Sequence, residues 1–342
     1  MDLVVSAVVM AHPRRLEAAT ALRDRHPELD MSIVTDPDPD GPPDALRTAR
    51  RAWRSVPDHA THLLIVQDDM LLVDDIKDQV YAAAEAMPGQ VLCFFTEWGS
   101  RSSHALRLAT VEGADWVPVI DPYIPTAAHM LPAGIARRLA DYAGEVPDDV
   151  LLLHFAKQEG MTPYISVPNL AQHTPVTSLM GNDLIQGPRP AAWWASPQGL
   201  LGSKVSKQSV IPHLLIFEGY SVCWVDGQFI RTHNFLDQRF GIDLRQQLEW
   251  FVEAMVEVDP AGLIRDVVAE PLLLQFWLTV LAYGAVAGVA PHEEALRTLA
   301  PGSLRRFVPF SVLDKLPELV NPVAHQAIKL GSSIGKNPSN YM

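Results

Sequence analysis

Four apolar residues, Leu63 to Val66, run into Gln67 and then into two adjacent carboxylates, Asp68 and Asp69. The apolar run reads as a buried strand. Setting two negative charges at the edge of a core is costly unless something positive faces them. The usual neutraliser is a hard cation with oxygen ligands, Mg2+ or Mn2+. In open α/β sheets the ligand crevice lies outside the carboxyl ends of the strands. The pair therefore sits where a metal-bound phosphate ester would be handled. Taken alone, the same residues also fit a strand followed by an Asp-rich turn or a helix cap.

The flanking sequence sets that strand in a regular alternation. Leu3 to Val9 predicts a first strand, Leu16 to Arg25 a helix and Met31 to Val34 a second strand. The Pro/Asp/Gly cluster from Thr35 to Pro43 is a loop. Asp44 caps a helix with Leu46, Ala49 and Trp53 on its apolar stripe and Arg47, Arg50, Arg51 and Arg54 on the rest. After the acidic pair come a helix from Ile76 to Met87 and a third buried run, Val91 to Phe95. Alternating strands and helices predict an α/β fold, a Rossmann-type sandwich with a mostly parallel central sheet. Beyond residue 96 the pattern loosens. Trp98 to Ser103 reads as loop, Trp116 to Ile120 as a short strand and Pro132 to Tyr142 as a helix. Pro147-Asp148-Asp149 opens a helix reaching Glu159, and Tyr164 to Val167 reads as a strand. From Leu244 onward long amphipathic and apolar helices dominate, and Gly331 to Met342 is expected to fray. The expected organisation is a catalytic domain over 1–185. A mainly α-helical region over 186–342 follows it, serving as acceptor side, lid or oligomerisation surface.

Composition narrows the function classes. The chain has 342 residues, 48% of them hydrophobic and 20% charged, which is globular composition. The formal net charge of −13 is uneven: residues 1–185 carry 14 Lys+Arg and 26 Asp+Glu, or −12, leaving −1 for the rest. An acidic first half argues against a nucleic-acid groove. It admits a small phosphorylated ligand if a divalent cation offsets the carboxylates. Cys93 and Cys223 lie in apolar runs and read as buried thiols. With no secretory signal after Met-Asp-Leu-Val-Val, a cytoplasmic setting is expected. Leu272 to Ala290 is uncharged and near bilayer-spanning length, but its polar residues and acidic flanks favour a buried helix over a membrane span. Gly284 and Gly288 within it would let another helix approach closely.

Four features can meet at one sheet edge. Asp36 follows the second strand, where a carboxylate can accept hydrogen bonds from a ribose or base. Gln67-Asp68-Asp69 ends the third. Asp148-Asp149 starts a helix, as caps or as a general base. His173 follows a later strand, near Asn182, and a neutral imidazole there is a candidate metal ligand. Trp98, Trp116, Trp193 and Trp194 fall in or beside irregular segments and could form a sugar-stacking platform on the acceptor side, although each singly suits packing.

The order of these features resembles the glycosyltransferases of the GT-A fold, which use nucleotide-sugar donors. Three phrases carry the resemblance: Val8-Val-Met-Ala-His-Pro-Arg14, Leu64-Ile-Val-Gln-Asp-Asp-Met70 and Val167-Pro-Asn-Leu-Ala-Gln-His173. It covers residues 1–185. It implies that the acidic triplet is the family's DXD motif, with Asp69 binding Mn2+ or Mg2+ and Asp68 facing the donor sugar or ribose. Asp36 would hold the nucleoside, with His12, Arg14, Arg50 and Gln67 completing the donor side. His173 would be a further metal ligand, and Asp149 or Asp148 the base that activates an acceptor hydroxyl with inversion at C1. Gln67 departs from the motif, because it stands where an acidic residue is usual; it keeps an acceptor oxygen and loses a charge. The expected partners are a nucleoside-diphosphate sugar and an acceptor, with a homo-oligomer through the C-terminal helices as an option. Two rivals stay open: a sugar-phosphate nucleotidyltransferase, and a non-catalytic domain of the same fold. The first would show a Gly-rich basic loop after strand one, where His12-Pro13-Arg14-Arg15 stands.

Overall fold

The computed structural model describes residues 2–177, 179, 181 and 186–336. It divides into two compact units. The first gathers described residues of 1–96, 115–185 and 194–206, and the second those of 97–114, 186–193 and 207–342. The units thus interleave along the chain instead of meeting at one boundary near residue 185.

The first unit is built on a seven-stranded sheet. Its strands are Val5–Ala11 (β1), Ser32–Thr35 (β2), His62–Gln67 (β3), Leu92–Cys93 (β5), Trp116–Pro118 (β6), Ala128–Pro132 (β7) and Tyr164–Ser166 (β8), in the order β2-β1-β3-β7-β5-β8-β6. β1 pairs in parallel with β2 and β3, and β5 with β8, while β7 and β6 run counter to their neighbours. The expected mostly parallel sheet is present, with two antiparallel insertions. Leu63, Leu64, Ile65 and Val66 are buried on both sheet faces, as their unbroken apolar run requires. Met70–Leu72 (β4) leaves the main sheet and pairs antiparallel with Ala171–His173 (β9), setting Met70 opposite His173.

Helices Leu16–Arg25 (α1), Ala45–Arg54 (α2), Ile76–Ala86 (α3), Ala133–Ala140 (α5) and Asp148–Gln158 (α6) belong to this unit. Asp44 caps α2 as expected, accepting the Leu46 N–H at 2.8 Å. Trp53 on its inner face is fully buried.

The second unit corrects one expectation. Arg101–Glu112 (α4) is a helix where loop was expected from Trp98 to Ser103; Ser100 caps it by accepting the Ser103 N–H at 3.0 Å. The expected mainly helical region over 186–342 also carries a small sheet. Val210–Leu215 (β10), Tyr220–Val225 (β11) and Gln228–Arg231 (β12) form an antiparallel three-stranded sheet. Helices Thr232–Phe240 (α7), Leu244–Val258 (α8), Glu270–Ala287 (α9), Glu293–Arg297 (α10), Leu299–Leu304 (α11) and Leu316–Lys336 (α12) complete it.

Arg107 on α4 is fully buried, and every arm of its guanidinium is occupied. It donates to the carbonyls of Trp98 and Ala295 and to the hydroxyls of Ser103 and Thr298, at 2.8–2.9 Å. A buried cation without such partners would be strongly destabilising. α9 is long and apolar enough to cross a membrane, yet 61% of its apolar window is buried, and it packs as the core helix of this unit. Gly284 permits its close pairing with α12, since a Cβ there would lie 2.3 Å from the Ile328 carbonyl. Gly288 has another role: at φ +73° it ends the helix in the left-handed conformation, with nothing within 4 Å of a Cβ. Where fraying was expected from Gly331, the helix continues through Lys336, and residues 337–342 lie outside the described residues.

Candidate active site

The carboxyl ends of β1, β2 and β3 lie side by side, and the sequence places a functional group at each. The Asp36 N–H donates to the Ala11 carbonyl at 3.0 Å and the Asp68 N–H to the Met10 carbonyl at 3.1 Å, so strand pairing brings the groups to one edge. The His12 N–H donates to Asp68 Oδ2 at 3.0 Å. The imidazole of His12 is used locally: Nδ1 accepts the Arg14 N–H at 3.1 Å, closing the short turn Pro13–Arg15. Arg14 itself is exposed.

Asp69 is gathered in by four groups. Thr174 donates both its N–H and its hydroxyl to the Asp69 carbonyl, each at 2.8 Å. His173 Nε2 lies 3.4 Å from Asp69 Oδ2. Arg15 Nη1 lies 2.9 Å from the same oxygen and 3.2 Å from Asp68 Oδ1, so one nitrogen bridges both carboxylates. Its other arm donates to the Thr177 carbonyl. Burial pushes Asp68 above the usual carboxylate range, and the neighbouring Asp69 charge adds to it. Burial also opposes ionisation of Asp69, but His173 and Arg15 together outweigh it and hold Asp69 below that range.

Two details test whether a cation suits this place. Asp69 Oδ1 is buried with no hydrogen-bond partner among the described residues, an uncommon state for a carboxylate oxygen. His173 Nδ1 donates to the Thr174 carbonyl at 3.0 Å, so Nε2 is the ring atom that faces Asp69 Oδ2. A proton or a cation between that nitrogen and the carboxylate would satisfy both. Among the described residues no three His, Cys, Asp or Glu side chains form a complete metal cage. A hard cation held by one or two protein ligands takes its remaining ligands from phosphate and water. Asp69 and His173 fit that arrangement.

Asp36 is nearly buried and paired. Arg47 reaches it with Nε at 2.6 Å and Nη2 at 2.8 Å, and the Asp38 N–H adds a third bond at 3.0 Å. The Arg47 hydrogen bond dominates in lowering its pKa. Arg47 and Arg51, and not Arg50, are α2 arginines at this edge, Arg51 donating to the Thr35 carbonyl at 2.8 Å. Arg50 is committed to the Tyr142 and Gly144 carbonyls, both at 2.9 Å.

The Asp148-Asp149 pair occupies the first turn of α6, with Pro147 and not an aspartate as the cap residue. One segment links it to the acidic triplet: the Gln67 N–H donates to the Ala127 carbonyl at 2.8 Å, and the Ile124 N–H to the Asp149 carbonyl at 3.1 Å. Between these, Thr126 hydrogen-bonds the Asp148 side chain. Burial, reinforced by the Asp149 charge, pushes Asp148 up to about 6. Asp149 is raised by burial too, but it is only half-buried.

The aromatic platform does not assemble as one surface. Trp98 is buried in the second unit and donates its indole N–H to the Pro188 carbonyl at 3.1 Å. Trp193, in the same unit, stacks on His292 at 4.5 Å. Trp116 is fully buried in the first unit. Trp194, also in the first unit, is 40% exposed. Asn182 lies outside the described residues.

Fold and site together define an α/β domain whose carboxylates Asp36, Asp68 and Asp69 gather at the carboxyl ends of its leading strands. Neither a protein-family model nor a curated protein sequence matches the chain. A solved structure of residues 1–349 of TarS from S. aureus, in complex with UDP-GlcNAc, is similar over 99% of this chain and 92% of that one. The sequence identity is 10% and the TM-score 0.33. A likeness that distant assigns neither ligand nor chemistry here.

Proposed function

We propose that the protein is a GT-A-type glycosyltransferase that moves a sugar from a nucleoside-diphosphate sugar to an acceptor hydroxyl. One observation carries this reading: just beyond β3, Asp69 keeps a buried Oδ1 with no partner among the described residues while His173 Nε2 lies 3.4 Å from its Oδ2. Asp69 and His173 would hold Mn2+ or Mg2+. A divalent cation so placed offsets the charge that develops on a leaving diphosphate. Asp68, fixed by the His12 N–H, faces the donor sugar or ribose. The Asp36–Arg47 pair presents a remaining acceptor lone pair to the nucleoside. Asp149, the more accessible of its pair, takes the acceptor proton. The acceptor oxygen then bonds C1 as the C1–O bond to the diphosphate breaks, which inverts the anomeric centre. A positioned base of this kind contributes typically ~10²–10⁴-fold.

A second reading has one observation in its favour. Arg15 already supplies a counter-charge to Asp68 and Asp69, and Gln67 removes a carboxylate from the motif, as in a domain that binds without catalysis. Incubating the protein with a panel of nucleotide sugars and Mn2+ separates the two. Release of nucleoside diphosphate from one donor, abolished in Asp149→Asn with donor binding retained, is the transferase result. Donor binding with no turnover alongside any acceptor supports the second reading.

A further inference from the structure

The reading above leaves one charged group without a task. Arg15 was not among the expected donor-side residues, yet its side chain reaches both carboxylates of the acidic pair. It stands at the end of the turn that follows β1, and a single nitrogen spans Asp69 Oδ2 and Asp68 Oδ1. The guanidinium lies where positive charge is needed and a bound cation would be expected. It is permanently charged and geometrically suited to both carboxylates and phosphates. A divalent cation on Asp69 would stand within a few ångströms of it, and the two would repel. Arg15 is also not sealed in: its side chain is 15% exposed, and its other anchor among the described residues is the Thr177 carbonyl.

We propose that Arg15 is a displaceable internal counter-ion: it occupies the acidic pair in the nucleotide-free protein and leaves Asp69 to a divalent cation when a diphosphate offers the guanidinium another anion. This rests on the donor-site reading and adds an order of events to it. Without nucleotide, a cation must compete with a tethered arginine for Asp69. With nucleotide, Arg15 turns to the diphosphate and the carboxylate is released. Cation and nucleotide then bind cooperatively, and the coupling is reciprocal by linkage. An empty donor site would hold its acidic pair neutralised and would not scavenge metal.

The test is Mn2+ binding, followed by the electron paramagnetic resonance signal of free Mn2+, with no turnover involved. Wild type, Arg15→Gln and Arg15→Lys are titrated alone and with saturating UDP, GDP or ADP. Wild type is expected to bind Mn2+ at least tenfold more tightly once its nucleotide is present. Arg15→Gln is expected to bind Mn2+ alone at least tenfold more tightly than wild type, with the nucleotide enhancement reduced. Arg15→Lys keeps the charge and should stay close to wild type. The proposal is overturned if Arg15→Gln binds Mn2+ alone no more tightly than wild type, or if Arg15→Lys binds as tightly as Arg15→Gln. If wild type binds Mn2+ with nucleotide but Arg15→Gln is unchanged, only the counter-ion role fails. If no protein binds Mn2+ with any of the three nucleotides, the donor-site reading fails with it.

Discussion

Asp69 and Asp148 are both carboxylates set into the first unit, and their surroundings drive them in opposite directions. Asp69 gains His173 and Arg15 and is held ionised, whereas Asp148 gains mainly burial and a like charge and rises to about 6. A carboxyl whose folded pKa stands above its unfolded value favours the folded state while protonated. That contribution is complete below the unfolded value near 4 and is lost as pH rises through about 6. Asp148→Asn mimics the protonated form at every pH. It should therefore be more stable than wild type at about pH 7.5, by up to about 3 kcal/mol, with the difference vanishing near pH 4. Urea denaturation at the two pH values measures this; a variant less stable at the higher pH would mean that Thr126 and the backbone favour the charged form. At this scale the sequence revealed which carboxylates matter but not their partners. Asp36, Asp68, Asp69 and His173 stood out through their places at strand ends. Arg15 and Arg47 were each one of several arginines on a basic stretch, and only the reach of a folded side chain selects among them. The one available signal for Arg15 was that the acidic pair needed a neutraliser from a neighbouring strand end.

At the scale of elements, what was legible followed from periodicity. β1, α1, α2 and β3 emerge from their apolar spacing and the Asp44 cap. α4 did not, because it is buried on nearly all sides: Ser102, Ser103, His104 and Arg107 are interior, so no polar stripe marks a helix. β10 contains Pro212, and β12 is short and mostly exposed, so neither shows the usual strand pattern. The glycines of the α9–α12 pair were partly legible: Gly284 was noticed, but its counterpart Gly331 was assigned to a fraying tail. A Cβ on Gly331 would fall 2.1 Å from the Leu281 carbonyl and 2.8 Å from the Ala285 nitrogen, both backbone atoms that cannot turn aside. Gly331→Ala should therefore destabilise the protein by about 2–3 kcal/mol in a thermal melt, although alanine is the better helix former. Gly134→Ala, at an exposed position of α5 with nothing within 4 Å, is the control and should be neutral or slightly stabilising. Equal effects at the two positions would remove the close-packing account of α9 and α12.

At the scale of the whole molecule, the acidic balance of residues 1–185 and the edge of the first unit make one argument. An anionic ligand approaching Asp36, Asp68 and Asp69 needs positive charge to bind; the protein offers Arg15 and Arg47, and the proposed cation on Asp69 and His173 would add to them. The acceptor is the least legible part, because the tryptophans expected to form a platform are divided between the two units and mostly engaged in packing. The account stands or falls on whether the first unit binds a nucleoside diphosphate through a metal. Thermal denaturation with UDP, GDP or ADP, each with and without Mn2+, tests this directly. One nucleotide should raise Tm only when Mn2+ is present, by the equivalent of about 2.7 kcal/mol at a hundredfold excess over Kd. Asp69→Ala should lose that shift while keeping its unliganded fold. No shift with any nucleoside diphosphate, with or without metal, would contradict the account.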